Sequence, residues 1–130
     1  MTHTRSTAAT RPASMLRVAQ AGAALSVLVL LWQFVTAGRM ITVAEGLGGH
    51  STGAIALHVA TGLLLVGTAL YGRATRLWWP AAVAAATFLL TFVQAYLGSH
   101  DGIALHVPLA MLLTVGVVWL AAWAFGSPVR

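Results

Sequence analysis

The sequence predicts an all-α membrane protein, a four-helix up-and-down bundle made of two repeated helical hairpins. Three observations lead to that fold class. The chain is 59% hydrophobic and 7% charged, against roughly 25% charged in soluble domains. Its apolar residues gather into four runs, each near the roughly 20 residues that a helix needs to cross a hydrocarbon core. The segment Ile55-Ala56-Leu57-His58-Val59 also recurs letter for letter as Ile103-Ala104-Leu105-His106-Val107.

Residues 1–15, rich in Thr, Ser, Ala and Arg, show no apolar period and are expected to form a disordered cytoplasmic tail near anionic headgroups. A single four-transmembrane-helix domain follows over 16–126. Its first span, 18–38, comes after Arg11 and Arg17 and ends near the small residues Val35-Thr36-Ala37, as a secretion signal would. Its length favours a retained helix. The other spans are expected over 52–72, 77–97 and 103–125. All are read as helices, because an isolated strand in lipid leaves its backbone groups unpaired. A longer outer loop, 39–51, separates the first two spans and holds Glu45, Gly48, Gly49 and His50. The small residues from Ala81 to Ala86 suit close helix packing.

All seven basic residues are arginine. Arg5, Arg11 and Arg17 precede the first span, Arg73 and Arg76 lie between the second and third, and Arg130 ends the chain. Arg39 alone falls on the opposite side. The positive-inside rule then predicts a multi-pass protein of the inner (plasma) membrane with both termini in the cytoplasm. Tyr71, Trp78 and Trp79 fall at the cytoplasmic boundary with Trp123 near it, and Tyr96 falls at the other, where amphipathic rings anchor helix ends. The net charge of +5 reflects scarce acids, Glu45 and Asp101, and the arginines form no dense run, so a nucleic-acid partner is excluded. The lipid bilayer is the expected surrounding. Without cysteine there is no disulfide, thiolate site or covalent haem attachment. No nucleophile with its base, P-loop or Rossmann glycine pattern is present, so the chain is not expected to be an enzyme on its own.

Both hairpins start on the cytoplasmic side, which makes the repeat parallel, with a pseudo-twofold axis along the membrane normal. His58 and His106 are then expected at one depth, roughly 6–10 Å inside the outer helix ends. Small residues flank both: Ala54 and Gly102 four positions before, Gly62 and Ala110 four after. Upstream, the stretch from Gln33 to Gly38 echoes the one from Gln94 to Gly98.

A buried polar group without a partner costs about 1–3 kcal/mol, so each imidazole needs one. A haem iron, a hydrogen-bonding side chain, or a transported proton or ion would serve. In such a bundle the second and fourth helices lie on a diagonal of roughly 11–14 Å, wide enough for a porphyrin. Imidazole is a usual iron ligand, and a compact four-coordinate metal site would need further ligands that the spans lack. Haem b is the favoured cofactor, with Gly62 and Ala110 beside the porphyrin edge. Arg39 either pairs with a haem propionate or forms a loop salt bridge with Glu45 or Asp101. His50 and His100 are read as propionate, quinol or surface-metal ligands, or as solvated loop histidines. Gln33 and Gln94 bind a ligand or tie helices together.

The repeated Leu-His-Val helices and the Gln-to-Gly ends of the first and third spans resemble a family of short actinobacterial four-helix membrane proteins. Over 18–125 the chain is similar in plan to one half of haem A synthase, and to four-helix b-type cytochromes. The resemblance implies His58 and His106 as axial ligands of the haem iron. The synthase has two such halves and an intramembrane glutamate near a histidine. These spans hold no Asp or Glu, so haem A synthesis is not carried over. The expected role is electron transfer or redox sensing through haem b, with a membrane redox partner or a homo-oligomer. The alternatives are a cofactor-free auxiliary or assembly protein and a small proton or ion carrier.

Overall fold

The computed structural model describes residues 10–100 and 102–128. They form four α-helices and, among the described residues, no strand: α1 (Thr10–Val43), α2 (Leu47–Thr75), α3 (Trp79–Ser99) and α4 (Ile103–Gly126). Each is long and apolar enough to cross a membrane. Residues 10–15, expected in the disordered tail, are instead the first turns of α1, because nothing between Pro12 and Val18 interrupts a helix. The rest of that tail lies outside the described residues.

The loop expected over 39–51 is also mostly helix. α1 runs on to Val43 and α2 begins at Leu47, leaving a three-residue turn. Ala44 (φ 56°) and Gly46 (φ 103°) reverse the chain in left-handed conformations, which glycine adopts without the steric cost other residues meet. A salt bridge from Arg39 Nη2 to Glu45 Oε2 (2.8 Å) spans the turn. α2 ends where Arg76 turns left-handed and its N–H donates to Gly72 O (2.8 Å). Pro80 sits in the first turn of α3, where its missing N–H would have had no helical partner.

Packing follows the order of the chain. α1 lies on α2, α2 on α3, α3 on α4, and α4 closes on α1, while among the described residues the backbones of the diagonal pairs stay apart and meet only through side chains. Short turns join antiparallel neighbours into an up-and-down bundle. The α1–α2 and α3–α4 turns mark its distal end. α1 and α2 pack most closely, through glycines: a Cβ on Gly22 would collide with the Leu64 backbone, and one on Gly67 with the Ala19 backbone.

Polar residues join leucines and alanines in the interior, while large apolar side chains also cover the outside, unlike in a water-soluble bundle. Ser26, Thr61, Thr68, Thr87, Thr91 and Gln94 are buried, while Ile55, Val59, Leu89 and Met111 face outward. The buried hydroxyls are satisfied within their own helices, as in Thr61 Oγ1 to Leu57 O (2.7 Å) and Thr68 Oγ1 to Leu64 O (2.9 Å). At the proximal end Trp79 stacks on Trp119 (centroids 5.4 Å) and meets Trp123 edge-on (5.6 Å), which in turn meets Tyr71 (5.6 Å). Tyr71, Trp79 and Trp123 are among the rings the sequence gathers at one boundary, and Trp119 joins them in the structure.

Two core layers set the relative depth of α2 and α4. Leu57 clusters with Leu30, Leu113 and Val117, and Leu64 with Ala19, Ala23, Ala84 and Leu120. Leu57 with Leu113 and Leu64 with Leu120 both differ by 56 in residue number, whereas the repeat pairs His58 with His106, a difference of 48. α3 agrees in direction: His58 meets Phe92, while His106 meets Gln94 and Gly98 nearer the distal end. By this register His58 lies deeper than His106 by eight residues, roughly 12 Å or just over two helical turns. Their expected common depth does not hold. The cause is the longer first hairpin: eleven residues of α2 precede His58, and only three of α4 precede His106.

Candidate functional site

The distal end brings together two histidines that the repeat does not relate. His50, expected in a loop, lies in the first turn of α2, half-buried, with its N–H donating to Gly46 O (2.8 Å). His106 lies in the first turn of α4, with its N–H donating to Gly102 O (2.8 Å). The two rings are 6.3 Å apart between centroids and tilted by 57°.

Both imidazoles are oriented by neighbouring helices. His106 Nδ1 is 3.1 Å from Gln94 O on α3. A carbonyl only accepts, so Nδ1 carries the proton and Nε2 is left with its lone pair in the neutral ring. Gly98 makes this approach possible, since a Cβ there would stand 3.2 Å from His106 Cε1. His50 Nδ1 is 3.1 Å from Thr36 Oγ1 on α1. That hydroxyl also lies within hydrogen-bonding distance of Trp32 O and Gln33 O (both 3.0 Å); with its hydrogen on either carbonyl it accepts the Nδ1 proton of His50, which leaves Nε2 its lone pair. The Gln33 amide clamps the same rung of α2: its nitrogen donates to His50 O (2.9 Å) and its oxygen accepts from Ala54 N (3.2 Å).

Gln94 adds a third acceptor. It lies on the bundle-facing stripe of α3 with Thr87 and Thr91, and its buried Oε1 has no hydrogen-bond partner among the described residues. A pair of neighbouring imidazoles and, on the residue whose carbonyl orients His106, a buried amide oxygen with no described donor thus lie toward the distal end. Such a set suits a cation, or a ligand that brings its own hydrogens. Among the described residues no three His, Cys, Asp or Glu side chains gather as a metal cage.

The other predicted residues are placed apart. His58 donates Nδ1–H to its own helix at Ala54 O (2.6 Å) and packs its ring edge-on against Phe92 (4.2 Å). Gly62, one turn deeper, faces Phe88, whose Cε2 would lie 3.4 Å from an added Cβ. Ala110 is half-buried on α4, one turn below His106. Arg39 is exposed and paired with Glu45; Asp101, its other expected partner, is outside the described residues. His100 is exposed, stacks on Tyr96 (4.3 Å) and bonds Tyr96 O through Nδ1 (2.9 Å), as a surface histidine does. Thr36 was not singled out from the sequence. Its signal is visible only once α1 is carried past Gly38, which sets Thr36 opposite His50.

The spacing of the pair can be compared with what one metal requires. Metal–imidazole bonds of about 2.0–2.1 Å, with about 1.1 Å from nitrogen to ring centre, put two trans imidazoles roughly 6 Å apart. The His50 and His106 ring centroids lie at about that separation, and neutral imidazole is a usual ligand of iron. His58 and His106, offset in depth, do not face each other. No protein family, curated protein or solved structure matches the chain, so its chemistry is read from this geometry.

Proposed function

We propose that the chain is a multi-pass membrane protein, with both termini cytoplasmic, that holds haem b between the diagonal helices α2 and α4 and carries electrons or senses redox state. One observation carries this reading: His106, anchored through Nδ1 on Gln94 O, presents a free Nε2 beside a second anchored imidazole at 6.3 Å. Metal-bound histidines characteristically donate their other ring proton to a carbonyl or similar acceptor, which sets the tautomer and the ring orientation. Bound there, the haem would supply a one-electron centre. The chain's own residues orient the ligands through Gln94 O and Thr36 Oγ1, and the apolar bundle below them excludes water. The Arg39 role at a propionate requires it to leave Glu45, a low-cost exchange for an exposed pair.

The test is a visible spectrum of protein expressed with ample haem. Red protein whose reduced form shows the sharp α band of low-spin iron is expected. Well-folded protein that stays colourless overturns the reading. The bonds His50–Thr36 and His106–Gln94, which join neighbouring helices, would then be interhelical ties in a cofactor-free helper protein.

A further inference from the structure

We infer that the imidazole that α2 contributes opposite His106 is His50, not the His58 of the repeated segment; this rests on the haem reading for its ligand but not for its geometry. Three levels of the bundle share one register. His50 meets His106, Leu57 clusters with Leu113, and Leu64 clusters with Leu120, each pair separated by 56 in residue number. For His58 to replace His50, α2 would have to slide outward by eight residues, roughly 12 Å or just over two turns. That slide would pull Gly22 and Gly67 out of their contacts with the Leu64 and Ala19 backbones. The Gly67 place admits no Cβ, so any non-glycine residue of α2 brought there would collide with the Ala19 backbone.

The surroundings of each ring point the same way. His58 is satisfied locally, by a carbonyl of its own helix and the edge of Phe92. His50 and His106 are held from neighbouring helices, α1 and α3 respectively, and each keeps Nε2 unassigned. Gln94 Oε1, buried and unpartnered, lies on the residue whose carbonyl orients His106. The pair also sits in the first turns of α2 and α4. A haem held there is at the distal boundary, within reach of donors or acceptors on the non-cytoplasmic side, and not at mid-bundle.

Two measurements on the full-length protein separate the inference from the haem reading. In haem-loaded protein, His50→Ala and His106→Ala should each lose the low-spin α band or become high-spin, since one axial ligand remains. His58→Ala and His100→Ala should retain it, and His50→Gln guards against a folding defect in the alanine variant. Loss of the band in His58→Ala with its retention in His50→Ala overturns the assignment. In protein without haem, the double variant His50→Cys with His106→Cys should be joined by a short thiol-specific cross-linker, and His58→Cys with His106→Cys should not. Colourless wild type together with 50–106 cross-linking removes the haem and leaves the register standing. Cross-linking of 58 with 106 alone overturns the register itself.

Discussion

Gly67 of α2 lies so close to Ala19 of α1 that a single methyl group on it would run into the Ala19 backbone. Gly22 makes the reciprocal contact with Leu64. These crossings hold the most closely packed pair of helices at a separation that only hydrogen atoms can fill. Replacing Gly67 by Ala forces the helices apart and is expected to destabilise the protein by roughly 1–3 kcal/mol. Gly38→Ala, where nothing lies within 4 Å of the new Cβ, should be neutral or slightly stabilising through helix propensity. Reversible unfolding in mixed detergent micelles measures both. Equal effects would show that the crossing does not set the packing.

Thr36→Val removes the acceptor of the His50 Nδ1 proton while preserving the side chain's shape. His50 is only half-buried and its ring also faces the Gln33 backbone carbonyl, so the same unfolding assay should show a loss of about 1 kcal/mol or less. Thr36→Ser keeps the hydroxyl and should recover most of it. Full stability in the valine variant would mean that His50 finds another partner and is not oriented by α1.

Orientation in the membrane is checked by single cysteines. Ser51 and Thr75 are exposed near opposite ends of α2. With six arginines on the proximal and terminal side and Arg39 alone on the other, the positive-inside rule puts Thr75 in the cytoplasm. An impermeant thiol reagent applied to intact cells should label Ser51→Cys and spare both Thr75→Cys and Ser6→Cys. The opposite labelling would reverse the topology and put the His50–His106 pair at the cytoplasmic face.

The sequence by itself determined four helices, their approximate spans and the aromatic cluster of Tyr71, Trp79 and Trp123 at one end. These are local properties: a run of about 20 apolar residues allows few other structures where no water can pair the backbone. It also marked Gln33 as a tie between helices, which its amide is through His50 O and Ala54 N. Only the tertiary structure decided which histidines meet. His58 and His106 share identical neighbours in sequence, yet one bonds its own helix and packs on Phe92 while the other bonds α3 and faces His50. The repeated pentapeptide is a local feature of the chain. Depth is set instead by contacts between residues far apart in the chain: Gly22 on Leu64, Gly67 on Ala19, and Gly98 beside His106. The continuation of α1 through Val43 adds to these. A helix slides along its neighbour with little change in local hydropathy, so no local pattern in an apolar helix encodes its register. Close packing at a few glycines selects one register, and that selection seats His50, not His58, opposite His106.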